Sequence, residues 1–299
     1  FDHVIRLLRE AAIDPEVNEI KMTLYRVANH SQVINALLNA ARNGKKVFVS
    51  VELQARFDES HNIRVSEKLT EVGATVVYGV PPMKVHAKLL LIRRGTELFA
   101  GMSTGNFNET TSRLYVDSML FTADKRTTKE VETVFHFIEE AATSRALAPP
   151  KFRHLLISPF NMRKTLSKMI AQEKAKGKKG YILLKVNHLT DGKIIQEIQD
   201  AADAGVIIDL IVRTTYAMLP HKNIRAVSIL DRYLEHQRIL AFGRDEEMRL
   251  YMSFADLMER NLDWRVEAAF PIYDPELKRE VFAMLSLQLQ DDTKARILD

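Results

Sequence analysis

One short arrangement of polar residues occurs twice in the sequence, and this repeat constrains the fold more than any other feature. In the first copy, His86 is followed two residues later by Lys88 and 17 residues later by Ser103. The second copy repeats both spacings with His236, Arg238 and Ser253. A duplication of this length predicts two similar domains that face one another, with the two histidines meeting at their interface.

The segments upstream of the two histidines also agree in their order of helix, glycine and strand, at residues 39–47 and 200–208. Across the chain, amphipathic helices alternate with short apolar strands. This alternation predicts an α/β fold with mostly parallel mixed sheets flanked by helices. The chain is 299 residues long, and a pair of prolines follows residue 148. We therefore expect one domain over 1–148 and a second over 149–299.

Composition excludes several classes of protein. The sequence has no cysteine, which excludes disulfide scaffolds, thiolate metal sites and cysteine nucleophiles. The formal net charge is +4 with 39 acidic residues, so a basic surface for an anionic partner must be local. No apolar run approaches the roughly 20 residues that cross a bilayer, and we predict no transmembrane segment. A helical pattern begins at Phe1 without a cap, which we interpret as the start of a fragment.

The chemistry of the first copy suits an anionic substrate. In an extended segment, side chains two residues apart point to the same face, so His86 and Lys88 lie side by side. The ammonium group can neutralise oxygens while the imidazole attacks or transfers a proton. The small polar run at residues 103–108 is typical of a loop that surrounds phosphate. A strand with one isolated histidine and an ordinary turn is the alternative, which the repeat disfavours.

Three arginines stand where ligands bind in α/β sheets, at or just beyond the ends of predicted strands. They are Arg26, Arg56 and Arg213. Ligands of parallel sheets collect beyond the carboxyl ends of the strands, and guanidinium groups grip phosphate in a bidentate manner. Solvated surface arginines are the alternative, since most arginines are of that kind.

Several motifs together resemble those of the histidine-phosphorylating polyphosphate kinases. They lie at residues 20–26, 51–59, 86–88, 103–109, 113–115, 158–163 and 231–236. The resemblance extends over nearly the whole chain and corresponds to the two C-terminal, phospholipase-D-like domains of that family. It implies that the active site lies at the interface of these two domains.

The resemblance also implies a reaction and the residues that perform it. The reaction is reversible transfer of the terminal phosphate of ATP to inorganic polyphosphate through a phosphohistidine. It implies that His86 is phosphorylated beside Lys88, and that His236 is an acid, a base or a phosphate contact. Tyr115 and Arg213, together with His236, would contact ATP or ADP.

The family assigns magnesium to the positions of Arg26 and Arg56. Arginine has only donors and cannot ligate a cation, so we expect both to grip phosphate oxygens beside Mg²⁺. ATP or ADP and polyphosphate are the expected partners, in a homo-oligomer that binds no nucleic acid. The expected location is cytoplasmic, with peripheral association with the membrane left open.

The chain departs from the family pattern at two places. Residues 214–220 are shorter and bulkier than the usual glycine-containing loop after Arg213, and Gln54 stands where a basic residue is usual.

Two other functions stay open. A phospholipase-D-type phosphodiesterase would need an acidic residue five positions after each cation, where Arg93 and Gly243 stand. A non-catalytic polyphosphate-binding module is the third interpretation. Neither a glycine-rich phosphate loop nor a protein-kinase signature is present.

Overall fold

The computed structural model describes residues 1–52, 59–143 and 148–298, and within them the chain divides into two compact units. The first unit comprises Phe1–Leu114 and Ser118–Leu155, and the second comprises Tyr115–Asp117 and Leu156–Asp299. The sequence does not indicate that Tyr115–Asp117 groups with the second unit. The limits 1–148 and 149–299 stay a prediction for the functional domains.

The first unit contains a mixed sheet with helices on its faces. Its elements, with β7 placed in the second unit, are α1 (Asp2–Ile13), β1 (Val17–Leu24), α2 (Gln32–Arg42), β2 (Lys46–Val51), α3 (Glu59–Glu71), β3 (Thr75–Val77), β4 (Lys84–Val85), β5 (Leu89–Arg94), β6 (Glu97–Ser103), β8 (Met119–Thr122) and α4 (Lys125–Thr143). The strand order is β3-β2-β1-β5-β6-β8. The first three strands are parallel, and the remaining neighbours are antiparallel.

The second unit has a larger sheet built on the same plan. Its elements are β7 (Tyr115–Val116), β9 (Leu156–Ser158), α5 (Met162–Ala175), β10 (Tyr181–Leu189), α6 (Gly192–Asp203), β11 (Ile207–Tyr216), β12 (Ile224–Ile229), β13 (Leu234–Glu235), β14 (Arg238–Phe242), β15 (Arg249–Ser253), α7 (Glu259–Asp263), β16 (Arg265–Pro271), α8 (Pro275–Gln290) and β17 (Ala295–Ile297). The strands run β17-β12-β11-β10-β14-β15-β16, with β9 beside β16. The short strands β13 and β7 pair separately.

The two sheets confirm the duplicated α/β fold. In each unit a parallel strand–helix–strand pair lies next to an antiparallel hairpin, β5–β6 or β14–β15. The hairpin begins one residue after Lys88 in the first unit and at Arg238 in the second. Among the described residues of the two large sheets, parallel pairing joins β1 through β3 and β10 through β12, and the other pairs with a stated direction are antiparallel. The sheets are therefore more antiparallel than the alternation of helices and strands indicates, because hairpins carry the segments from each histidine to its serine.

The equivalent helices α2 and α6 both begin with a polar N-cap side chain and are both followed by a glycine. Ser31 and Asp191 are the caps, and each side chain accepts a hydrogen bond from a backbone N–H three residues later. Gly44 and Gly205 follow the helices with φ of +79° and +98°, a conformation that side chains disfavour. These residues account for the repeated order of helix, glycine and strand in the sequence.

Strands β10 and β11 extend beyond the limits that the sequence predicts. The predicted strands end at Val186 and Val212, whereas pairing continues to Leu189 and Tyr216. A register shift after Val186 gives β11 an additional residue, which is a β-bulge next to Arg213. The segment that departs from the family pattern therefore begins as a strand, as its β-branched and aromatic residues favour.

Each unit buries its own apolar core between sheet and helices. In the first unit, Leu8 and Leu37 from α1 and α2 are fully buried with Ile20 of β1. On α4, Phe135 meets Phe48 of β2 edge to face, with ring centroids 6.2 Å apart. Within the described residues, no helix has the length and apolar character needed to cross a membrane.

We expect the substitution Asp191→Ala to destabilise the protein by about 2–3 kcal/mol, because it removes a helix cap and a partner of Arg163. The Asp191 carboxylate accepts from Ile194 N at 3.0 Å and from Arg163 Nη2 at 2.6 Å. Urea denaturation measures the change. Asp200→Ala on α6 is the control, and it should lower the midpoint far less, because its ion pair with Lys174 at 3.2 Å is exposed to solvent. Equal effects of both variants would contradict the role of Asp191.

Candidate active site

His86 lies in the short link between β4 and β5, and hydrogen bonds from β1 fix this link. Thr23 donates its hydroxyl to Ala87 O at 2.7 Å and accepts from Leu89 N at 2.9 Å. Thr23 is buried in the core of the first unit. The backbone around His86 is therefore held by the central strand of the sheet, which limits how far the ring can move.

Lys88 and Tyr25 surround His86 in the first unit. The Lys88 ammonium donates a hydrogen bond to His86 O and lies 4.5 Å from the centre of the Tyr25 ring. The Tyr25 ring meets the His86 ring edge to face, with centroids 4.9 Å apart. The structure therefore brings together the predicted pair of imidazole and ammonium groups, and Tyr25 is an addition that the sequence does not indicate.

The polar run after β6 is a tightly packed loop. Ser103 N donates to Lys88 O at 3.1 Å, which joins the loop to the lysine. The Ser103 hydroxyl accepts from Gly105 N at 3.0 Å, and Thr104 is fully buried. The side-chain amide oxygen of Asn108 accepts hydrogen bonds from Thr110 N at 2.9 Å and from Thr111 N at 3.0 Å. These bonds show that the side chains shape the loop itself.

Arg26 lies two residues beyond the end of β1 and is half-buried. Its position after a parallel strand agrees with the predicted phosphate contact, and that role stays a prediction. The second predicted contact, Arg56, lies outside the described residues, as does Gln54.

His236 lies between β13 and β14, and a carboxylate fixes its orientation. Nδ1 is 2.9 Å and 3.0 Å from the two carboxylate oxygens of Asp117. Asp117 reaches the ring because it follows β7, which pairs in parallel with β13 just before His236. The paired residues are Leu234 with Tyr115 and Glu235 with Val116. With Nδ1 held as the donor, the other ring nitrogen, Nε2, is the one that can exchange a proton with a ligand.

Aromatic rings enclose His236 on two sides. The Tyr115 ring lies 4.9 Å from the imidazole, centroid to centroid, and the Phe254 ring lies 5.4 Å away. The His236 side chain is 10% exposed. This burial lowers the pKa of His236 below its ordinary value, although the bond to Asp117 acts in the opposite direction. At neutral pH the ring is therefore neutral, which suits a group that accepts a proton.

The two copies differ in the charge beside the histidine. Arg238, like Lys88, donates to the carbonyl oxygen of its own histidine, at 2.7 Å. Arg238 also contacts Asp256, with Nη2 and Oδ2 3.2 Å apart, and both residues are buried. In the first copy, the uncharged Asn106 stands in the register position of Asp256. At this register position the second copy thus has an acid that pairs with its cation, and the first copy has an amide.

Arg213 lies close to the His236 segment. Its Nη1 donates to Glu235 O at 2.8 Å. Below the same segment, the ammonium group of Lys185 is 2.5 Å from a carboxylate oxygen of Glu235, and Lys185 is 2% exposed. Gln288 donates to the same oxygen at 3.0 Å. The structure therefore brings the predicted residues Tyr115, Arg213 and His236 together, and Lys185 anchors the strand that carries them.

The donors of the predicted metal site do not fit a protein-bound cation. Arginine has no lone pair for Mg²⁺, and Arg26 is such a residue. In the part of the chain that the structure describes, no group of three or more histidine or carboxylate side chains could hold a metal ion. We therefore derive no reaction step through a protein-held metal.

Sequence reasoning misses the partner of His236. The signal was present, because Asp117 and Glu267 each follow the histidine of their copy by the same 31 residues. A carboxylate repeated at one spacing from a histidine indicates a partner for an imidazole. The sequence could not reveal that Asp117 belongs to the unit of the second histidine, because only the pairing of β7 with β13 produces that exchange.

The fold and these sites define a class of protein. The structure aligns with the phosphatidylserine synthase of Haemophilus influenzae with a TM-score of 0.64 at 12% identity, over 99% of this chain and 85% of that one. Identity this low establishes the fold alone. The chain has a duplicated α/β fold of this kind, and each copy repeats one spacing of histidine, cation and serine.

Sequence comparison gives the family. Residues 1–144 match the family profile described as polyphosphate kinase C-terminal domain 1, and residues 155–299 match C-terminal domain 2. The chain is 44% identical over 311 positions to the polyphosphate kinase of Escherichia coli, and the match includes 100% of this chain and 44% of that protein. The crystal structure of the polyphosphate kinase of Porphyromonas gingivalis aligns with a TM-score of 0.90 at 43% identity, over 100% of this chain and 47% of that one.

The chain belongs to the polyphosphate kinase family. It spans less than half the length of the curated relatives that it matches.

We expect the substitution Asp117→Asn to lower the pKa of His236 further, because the carboxylate stabilises the charged imidazolium and the amide does not. Titration of the ring-proton signals by NMR measures the change. The control is Asp203→Asn at an exposed position of α6, which should leave the pKa of His236 as it is in the unsubstituted protein. An unchanged or raised pKa of His236 would contradict the role of Asp117.

Proposed function

We propose that this chain carries the phosphotransfer site of a polyphosphate kinase, which moves the terminal phosphoryl group of ATP reversibly onto inorganic polyphosphate. The observation that carries the proposal is the pair of histidines in equivalent positions of a duplicated fold, with different surroundings. His236 is buried between aromatic rings and bonded to Asp117. His86 has the Lys88 ammonium beside it and Asn106 in place of an acid.

In the proposed reaction, a ring nitrogen of His86 attacks the γ-phosphorus of ATP, and the bond to the β–γ bridging oxygen breaks to release ADP. A terminal oxygen of polyphosphate then attacks the phosphorus, and the phosphorus–nitrogen bond breaks. Phosphoryl transfer requires alignment and positive charge around the equatorial oxygens, which Lys88 and Arg26 would supply.

His236 is the proposed acid and base of the reaction. Its lowered pKa favours the neutral ring, and Asp117 keeps Nδ1 as the donor, so Nε2 can accept a proton and return it. The apolar enclosure by Phe254 argues against a second phosphohistidine here, because a phosphoryl group needs donors for three oxygens. Tyr115 and Arg213, which lie beside His236, are the proposed contacts of the nucleotide.

The proposed substrates are ATP or ADP and inorganic polyphosphate. Magnesium would enter with the nucleotide, as part of the substrate complex. A homo-oligomeric state and a cytoplasmic location are further expectations of the family resemblance.

A phosphodiesterase of the same fold would need an acidic residue at the positions of Arg93 and Gly243. In this chain both residues have structural roles. Arg93 lies within β5 and forms ion pairs with Glu19 and Glu132. Gly243 follows β14 with φ of +83°, a conformation that a carboxylate side chain would disfavour. These roles support phosphotransfer over phosphodiester hydrolysis.

We expect His86→Ala to abolish formation of an acid-labile, base-stable phosphoenzyme from γ-labelled ATP, because it removes the nucleophile. His236→Ala should slow labelling or block transfer to polyphosphate, and it should leave the label on His86. Peptide mapping by mass spectrometry locates the phosphate. His136→Ala, at an exposed position of α4, is the control. Phosphate on His236 and none on His86 would reverse the assignment.

We expect Arg26→Ala to lower kcat/KM for ATP by roughly 10- to 150-fold, since one charge-assisted phosphate contact is worth about 1.5–3 kcal/mol. Initial rates at limiting ATP measure the loss. Arg42→Ala is the matched control, because Arg42 is an exposed arginine in the last turn of α2. Full activity of the Arg26→Ala variant would show that Arg26 is an ordinary surface arginine that does not bind phosphate.

A further inference from the structure

A cavity in the first unit has features of an anion-binding site, and its lining does not include His86 or Lys88. It has a volume of about 400 Å³ and lies between α2, α3 and the loop that follows β1. Its cationic and imidazole side chains are His30, His61, Arg64 and Lys68. Among the described residues, its lining includes no aspartate or glutamate. A cavity of this size, lined by charge of one sign, favours a small anionic ligand.

An unsatisfied polar atom points to a ligand in this cavity. His61 Nε2 is buried and has no hydrogen-bond partner among the described residues. Buried polar atoms are nearly always paired, so an orphan on the wall of a cavity indicates a group that the ligand supplies. His30, which also lines the cavity, has a φ of +58°. This backbone conformation is uncommon for a residue with a side chain and concentrates at functional sites.

The duplicated fold provides an internal comparison. At the equivalent place in the second unit, Arg163 closes the start of α6 with two carboxylates, at 2.6 Å from Asp191 and 2.5 Å from Asp263. In the first unit, Ser31 caps α2 instead, and the loop from β1 to α2 (residues 25–31) is five residues longer than its counterpart (residues 190–191). The corner that holds an ion cluster in one copy has, in the other, Glu109 bonded to Ser31 at 2.9 Å and the basic cavity beside them.

Helix α3 is also specific to the first unit. It joins β2 to β3, whereas residues 217–223 join the equivalent strands β11 and β12 without a helix. His61, Arg64 and Lys68 all lie on α3, where spacings of three and four residues place them on one face. The cationic wall is therefore an addition to the duplicated plan, and core packing does not require its exposed charges.

The cavity begins close to the proposed reaction site. Ala28 lines it and lies two residues after Arg26, so the two Cα atoms are at most about 7 Å apart. Its other lining side chains are small polar or aliphatic, and imidazoles are its only aromatic rings among the described residues. A nucleotide base would favour larger rings to stack on, which favours inorganic phosphate over a nucleotide.

We propose that this cavity is a second phosphate-binding site, which holds phosphate groups of an inorganic polyphosphate chain by Arg64, Lys68 and His61. The choice of polyphosphate rests on the proposed function, and the existence of an oxyanion site does not. The site would keep hold of a chain while its end is extended or shortened.

Binding of inorganic tripolyphosphate to the complete protein tests the proposal. We expect the double variant Arg64→Glu with Lys68→Glu to weaken binding at least about tenfold by isothermal titration, since two charge-assisted contacts become repulsive. The matched control reverses the same charge at two exposed lysines of α4, Lys125→Glu with Lys129→Glu, and should change affinity less than twofold. The milder His61→Asn variant should weaken binding in the same direction, and thermal unfolding verifies that each variant is folded.

Crystals soaked in tungstate locate the anion. We expect an anomalous peak between Arg64, Lys68 and His61 in the unsubstituted protein and none in the double variant. Equal loss of affinity in the double variant and the control would overturn the proposal. A tungstate peak without a change in tripolyphosphate affinity would indicate an adventitious ion only and would overturn it as well. ADP binding should change less than twofold, and an equal loss for ADP would overturn the choice of inorganic phosphate.

The phosphoenzyme assay separates this proposal from the proposed function. Normal labelling of His86 together with unchanged tripolyphosphate affinity in the double variant would reject the second site alone. A missing phosphoenzyme together with an occupied cavity would reject the proposed reaction and retain the oxyanion site.

Discussion

Each histidine of the duplicated fold is fixed by the cation that follows it. Lys88 and Arg238 both fold back and donate to the carbonyl oxygen of the histidine two residues earlier. The next residues enter an antiparallel hairpin whose far end returns to the cation, as Ser103 N does to Lys88 O. Because a buried cation needs such acceptors, the spacing of histidine, cation and serine is a structural requirement as well as a chemical one.

The two copies share this backbone arrangement but differ in the charged residues around the histidine. The second copy compensates its charges internally, through Arg238 with Asp256, Lys185 with Glu235 and Arg163 with Asp191. Burial then keeps His236 neutral while Asp117 orients it. The first copy keeps an uncharged residue at the position of Asp256 and adds α3 with its cations. This asymmetry supports the proposed division into a proton-transferring histidine, His236, and a phosphate-accepting histidine, His86.

The sequence predicted much of the frame because its signals are local. The limits of α2, α6 and α8 agree with the caps and glycines that the sequence displays. The pairs formed by His86 with Lys88 and by His236 with Arg238 follow from spacing alone. The extension of β11 to Tyr216 was not predictable, because it depends on a bulge and on pairing with β10. The packed state of the loop at Ser103 was hidden for the same reason, since a small polar run is equally typical of an open phosphate loop.

By itself, the sequence determined the duplication, the order of the elements and the residue types at the two motifs, because periodicity, capping and spacing are properties of short segments. Only the tertiary structure decided which groups surround each ring. Asp117 follows the first histidine in the chain, yet it bonds the second, because β7 pairs with β13. Tyr25 reaches His86 from the end of β1, some 60 residues away in the chain. Contacts of this kind depend on strand pairing over long separations, which no local pattern encodes.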